Sequence, residues 1–168
     1  MKKALVLLAC LLLAGQMAMG YGFAKNSSYL GPLVGFGWHD LMLGGQFEYG
    51  ASRSVGFGFI GGYSHKGYDY YWGNLSYNYV SLGFQCNYHF RSVKPFDLYA
   101  GGLLGYDIVS YSEKYHPGYE WYHGWSATGS ALFIGPQLGA NFPLGRSAAF
   151  STRLGYPFYL AVGMNFKL

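Results

Sequence analysis

The chain has 168 residues, 27 of them Gly, with 21% aromatic residues and only 11% Asp, Glu, Lys or Arg. A soluble domain carries roughly 25% charged residues, so this composition argues against an ordinary water-facing globule. Eleven Lys and Arg against seven Asp and Glu give a net charge of +4, an excess that implies no nucleic-acid partner.

The N-terminus reads as an export signal. Lys2 and Lys3 form a basic start, Ala4 to Ala14 an apolar run, and Ala18-Met19-Gly20 a small-residue cleavage site. The expected division is therefore a leader over residues 1–20 and one domain over 21–168, starting at Tyr21. Leu7-Leu8-Ala9-Cys10 superficially resembles a lipoprotein box, but cleavage there leaves too short an apolar core before it. Losing Lys2 and Lys3 from the eleven cations leaves nine against seven acids. Cys10 leaves too, so Cys86 stands alone, with no internal disulfide and no cysteine metal site. After the leader no apolar run approaches the roughly 18 residues of a membrane helix. Any span must then be made of strands, and only a closed barrel pairs every backbone group in hydrocarbon.

Turn-like clusters divide the rest into eight segments: 29–37, 41–50, 55–64, 76–90, 96–109, 130–142, 147–156 and 158–168. The pattern is clearest in the fourth. Val80, Leu82, Phe84, Cys86, Tyr88 and Phe90 share one face there, and Tyr79, Ser81, Gly83, Gln85, Asn87 and His89 share the other. The last segment sets Phe158, Leu160, Val162, Met164, Phe166 and Leu168 against Tyr159, Ala161, Gly163, Asn165 and Lys167. Period two with one apolar face marks each as a strand.

The charges within these segments, Glu48, Asp97, Asp107, Arg153 and Lys167, all fall on the less apolar face. A lipid-facing charge at the bilayer midplane of a barrel costs about 2–4 kcal/mol for Lys or Arg, so this phase fits apolar residues outward and charges in the lumen. Lumen charges need partners, and Arg153 with Glu48 is the expected couple. A soluble lipocalin-like barrel would put the other face in water, yet that face is largely glycine. Inside a narrow barrel those glycines make room for Tyr79, Tyr99, Phe133 and Tyr159. Pro32 and Pro136 oppose the scheme, because a proline donates no ladder hydrogen bond and a closed barrel has no idle edge.

"YNYVSLGFQCNYHF", "KPFDLYAGGLLGYDIVS", "IGPQLGANFPL" and the closing "LAVGMNFKL" together resemble the small eight-stranded outer-membrane β-barrel family of Gram-negative bacteria, the OmpA/OmpX-like barrels. The resemblance spans nearly all of residues 29–168. It implies an all-β, antiparallel up-and-down barrel with periplasmic termini. It also implies insertion into the outer membrane by the assembly machinery through the last strand, which here ends Phe166-Lys167-Leu168 in place of the family's usual terminal aromatic.

On that plan the short connections 51–54, 91–95 and 143–146 lie on the inner side and the long ones, 64–74 and 111–129, face outward. The long ones carry Tyr68, Tyr70, Tyr71, Trp72, Tyr115, Tyr119, Trp121, Tyr122 and Trp125. Tyr and Trp offer large contact area at low entropic cost, which suits an extracellular protein or glycan; the other reading is an interfacial aromatic belt. His39, His65, His116 and His123 fall in external connections without the tight spacing of a metal or haem site. The expectation is thus no metal and no cofactor. Ser64, His65 and Asp69 supply the residue types of a rim enzyme but no acylase motif, so no catalytic residue is assigned. The lumen of eight strands is just wide enough for its own side chains, leaving a narrow small-solute channel as a lesser alternative. The expected partners are outer-membrane lipids around a monomer.

Overall fold

A computed structural model describes residues 22–37, 40–71, 73–90, 96–115 and 126–168. The expected leader, and Trp72, Tyr119, Trp121, Tyr122 and Trp125 among the proposed binding residues, lie outside these. The strands are β1(Ser28–Gly37), β2(Asp40–Gly50), β3(Val55–Tyr70), β4(Gly73–Phe90), β5(Asp97–Tyr115), β6(Ser126–Pro143), β7(Ala148–Gly155) and β8(Phe158–Lys167). Each pairs antiparallel with its neighbour in sequence, and β8 returns to β1 to close the barrel. The seam holds to the last residue, with the Leu168 N–H donating to the Ser28 carbonyl at 2.9 Å. No helix among the described residues is long and apolar enough to cross a membrane.

The alternation turns the molecule inside out relative to a soluble protein. Leu30, Phe36, Leu43, Phe59, Leu82, Leu104, Leu138 and Leu160 point outward and are each at least half exposed. Gln85, Asn87, Gln137 and Arg153 are buried in the lumen. Such an exterior needs hydrocarbon around it, since apolar surface of this extent in water costs roughly 25 cal/mol per Å². Free Cys86 also lies on that outer face.

Both prolines are accommodated by where the ladder stops. Along the β1–β8 seam the pairing passes from Leu30↔Phe166 to Leu33↔Gly163, lapsing at Gly31 and Pro32 without a change of register. Pro136 is paired with Gly102 of β5, while the β6–β7 ladder begins one residue later at Gln137↔Gly155. Its carbonyl lies on the β7 side, near Gly155. In a strand a residue's nitrogen and carbonyl share a side, so the missing N–H falls beyond the end of β7, where no ladder bond is owed.

One expected face is wrong. The β1–β8 register slips between Phe36↔Leu160 and Gly37↔Phe158, a bulge that turns Phe158 into the lumen, fully buried, and leaves Tyr159 outside at 46% exposure. The lumen accepts Phe158 because Gly44 and Gly62 lie against its ring tip: a Cβ at either would come within 3.0 Å of it. Tyr99 and Phe133 do sit on glycines as expected, Tyr99 over Gly139 and Phe133 over Gly105, each within 2.2 Å of where a Cβ would stand.

The strands are also unequal. β3 to β6 run to 16, 18, 19 and 18 residues, whereas β1, β2, β7 and β8 have 10, 11, 8 and 10. The β2–β3 ladder ends at Leu43↔Tyr63 and the β6–β7 ladder at Gln137↔Gly155. Above those pairs β3–β6 continue as a four-stranded sheet on one side of the rim. Residues 64–70, 73–74, 111–115 and 126–129, expected as loop, are therefore strand. Their Tyr, Ser and Thr content suits a pleated surface, and continued pairing satisfies the backbone.

The outward face changes character at a definite level. Val80, Ile108 and Leu132 give way to Asn78, Ser110 and Ser130, then to Ser76, Ser112, Thr128 and Ser126. On β3 and β4 the apolar band thus ends where the free sheet begins, above Tyr63↔Val80, while on β6 it runs on through Ile134 and Leu132 past the last pair with β7. Accordingly Leu104→Arg is expected to destabilise the barrel by about 2–4 kcal/mol, and Ser110→Arg on the same face to be nearly neutral. Equilibrium urea unfolding in lipid vesicles measures both.

Candidate functional site

Three of the lumen charges sit in one polar layer toward the end of the barrel that carries the chain termini. The His89 Nδ1 lies 2.7 Å from Asp97 Oδ1 and its Nε2 lies 3.0 Å from Glu48 Oε1. Carboxylates accept and do not donate, so both ring nitrogens carry protons and His89 is an imidazolium held between two acids. Asn87 donates to the same Glu48 oxygen at 3.0 Å, and Asn141 donates to Asp97 at 2.8 Å. Phe23, from the segment before β1, stacks on the His89 ring at 3.6 Å and 7° and closes this end of the lumen.

The expected Arg153–Glu48 pair does not form, because Glu48 is taken by His89 and Asn87. Arg153 Nη1 instead donates to Gln46 and Gln85 at 2.9 and 3.0 Å, and its Nε and Nη2 have no hydrogen-bond partner among the described residues. His89 and Arg153 balance Glu48 and Asp97 in charge, so the layer is neutral as a whole. Asp107 lies toward the opposite end, accepting from Ser81 Oγ at 2.5 Å and from the Tyr156 hydroxyl. Burial, reinforced by that carboxylate, raises the Tyr156 hydroxyl above its ordinary value of 10. Lys167 is half-buried opposite Tyr29 and makes no ion pair with a described residue. Between the polar layer and Asp107 lies an apolar plug of Leu33, Met42, Ile60, Leu103, Phe158 and Ala161, with Phe133 against it.

Above the rim the lumen-facing phase continues onto the free sheet and becomes aromatic. Lys66, Tyr68 and Tyr70 of β3 lie beside Tyr77 and Tyr79 of β4, and these beside Val109 and Tyr111 of β5. The rings touch: Tyr77–Tyr79 at 6.0 Å and 13°, Tyr77–Tyr111 at 5.3 Å, Tyr68–Tyr77 at 6.2 Å edge-on, and Tyr68–Tyr70 at 6.4 Å. Tyr111 donates to Glu113 at 3.0 Å. Lys66 reaches Asp40 at 2.7 Å and lies 5.5 Å over the Tyr68 ring. The Asp40 carboxylate raises the Lys66 ammonium to about 12, so on the basic side the ammonium loses its charge only as the pH rises through that value. On the β6 side the shelf is flat and roomy, with Ala127, Gly129 and Ala131 in the same phase.

Of the residues singled out in sequence, Tyr68 and Tyr70 belong to this shelf at 39% and 44% exposure. Tyr71 stands at the β3–β4 turn, 88% exposed, and Tyr115 is at the end of β5 opposite Gly73. Tyr77 and Tyr111 were missed and Tyr79 was assigned to the lumen; continuing the odd-numbered phase of Gln85 and Asn87 upward would have found the β4 pair. Ser64, His65 and Asp69 do not converge. Ser64 is buried on the lumen side, while His65 lies on the opposite face, its Nδ1 2.9 Å from Asn78 Oδ1. Among the described residues no group of three or more His, Cys, Asp or Glu is placed to hold a metal ion.

A closed antiparallel ladder, a lipid-compatible exterior and a polar interior define an integral membrane β-barrel. Its fold is that of the small eight-stranded outer-membrane barrels. The N-terminal β-barrel domain of Pseudomonas aeruginosa OprF superposes with a TM-score of 0.59 at 14% identity, over 86% of this chain and 98% of that one. Ail, the attachment invasion locus protein of Yersinia pestis, in complex with the heparin analogue sucrose octasulfate, gives 0.55 at 13% over 84% and 95%. Neisserial surface protein A gives 0.55 at 12% over 84% and 95%. No protein-family model and no curated protein sequence matches the chain.

Removing the central cation of the polar layer tests its electrostatics. His89→Leu leaves Glu48 and Asp97 buried without their cation and is expected to cost roughly 3–5 kcal/mol. Adding Glu48→Gln to that variant should restore part of the loss in the same urea titration.

Proposed function

We propose that the chain is exported by its leader, resides in the outer membrane of a Gram-negative bacterium, and binds an extracellular protein or glycan through the sheet that stands above the rim. One observation carries this reading. Where the outer face turns from apolar to Ser, Thr and Asn, the inner face turns from packed lumen to a row of contacting tyrosines. A belt serving the membrane interface alone would put its aromatic residues on the lipid side; Tyr68, Tyr77 and Tyr111 are on the other side. Barrel closure does not need this extension, since β7 and β8 close the ring without it.

The fold of Ail and of Neisserial surface protein A supports the general kind of protein. Ail's complex with a heparin analogue is a property of Ail. The channel reading has less support, because an apolar plug crosses the lumen, and the enzyme reading less again, because Ser64 faces the lumen while His65 and Asp69 lie on the opposite face of β3.

Bacteria displaying the wild-type barrel should attach to immobilised host-cell surfaces several-fold better than those displaying a Tyr68→Ser, Tyr70→Ser, Tyr77→Ser, Tyr111→Ser variant at equal surface levels. Equal attachment would overturn the reading. Planar-bilayer recording of the same protein is expected to show no steady single-channel conductance, and discrete steps would favour the channel.

A further inference from the structure

Resting on the surface-binding reading, we infer that the shelf takes an uncharged oligosaccharide, not a polyanionic one. The contacting tyrosine rings offer flat apolar faces with hydroxyls at their edges, the combination that stacks on the apolar face of a sugar ring while hydrogen-bonding its hydroxyls.

The charges present argue against an anion. A sulfated or phosphorylated glycan is held by several free cations, as fork-like arginines or clustered lysines. The described shelf has one cation, Lys66, and its ammonium is committed to Asp40 at 2.7 Å. The other charge on this face, Glu113, is negative and accepts from Tyr111. The face is therefore neutral to slightly acidic, and a polyanion approaching it gains no ion pair. An uncharged chain loses nothing by that. Among the described residues there is room for it beside the rings: a Cβ built at Gly129, which pairs with Val109, meets no atom of theirs within 4 Å.

The test uses the full folded chain in lipid nanodiscs, presented to an array of uncharged oligosaccharides that includes maltohexaose and tri-N-acetylchitotriose, with heparin as the polyanionic arm, at low and high salt. Two variants read the shelf in opposite ways. Tyr77→Ala with Tyr111→Ala removes ring faces, and Gly129→Trp fills the open space; both lie above the apolar band, and heat-modifiable gel mobility verifies that each barrel has folded. The expected result is binding to an uncharged oligosaccharide with an affinity insensitive to salt, weakened about tenfold or more in either variant, and no retention on heparin. Salt-sensitive heparin binding that depends on the tyrosines would overturn the proposal, as would binding of uncharged glycans unaltered by Gly129→Trp. If no oligosaccharide binds while attachment to host surfaces still requires the tyrosines, the saccharide assignment fails and the surface-binding reading stands. If attachment is also indifferent to the tyrosines, both fail.

Discussion

Hydrocarbon offers no hydrogen bonds, and the rest of this structure follows from that. Each backbone N–H and C=O at membrane depth must find its partner in another strand, which forces eight strands into a ring. The ring fixes the side-chain phase: alternate residues face lipid and must be apolar, and the others face a lumen that only side chains fill. The same constraint explains the placement of irregularities. Pro32 sits where the β1–β8 ladder lapses, Pro136 sits just past the end of β7, and the β8 bulge occurs beside a tight turn, so none interrupts the ladder elsewhere.

Inside, packing and charge answer to each other. The tyrosine and phenylalanine rings that fill the lumen rest on glycines of neighbouring strands, which explains why glycine is so abundant on that face. Four charged residues, His89, Arg153, Glu48 and Asp97, occupy one layer near the end closed by Phe23, two of each sign, with amide side chains filling further hydrogen bonds, while Asp107 lies apart with Ser81 and Tyr156. Buried charges are tolerable only when paired and bonded in this way. Arg153 Nε and Nη2, without a partner among the described residues, are buried donors of the kind that ordered water satisfies in protein interiors.

Most of this architecture was readable in the sequence because period two is a strong signal over eight successive segments. The number of strands, their direction of facing and the lumen placement of Glu48, Asp97, Asp107 and Arg153 all follow from it. Phe158 was misread because a bulge shifts the phase by one residue, and nothing in "YPFYLAVG" announces it. The Arg153 partner was misread because register across three or four strands depends on barrel shear, which alternation does not encode. The upper sheet was taken for loop because Tyr, Ser, Gly and Asn mark turns as readily as solvent-exposed strands. There the outward face is polar, the contrast between faces falls, and the periodic signal fades just where the candidate site begins.

The unequal heights of the staves also give the molecule a direction within the membrane plane. β3 to β6 form a wall, while β7, β8, β1 and β2 finish low, so that among the described residues the tyrosines look across an open flank. On the proposed surface-binding reading, a polymer lying along the cell envelope would reach them sideways, over that low flank, without descending from above. On that reading, rotation of the barrel about the membrane normal would decide which way the tyrosine face is presented.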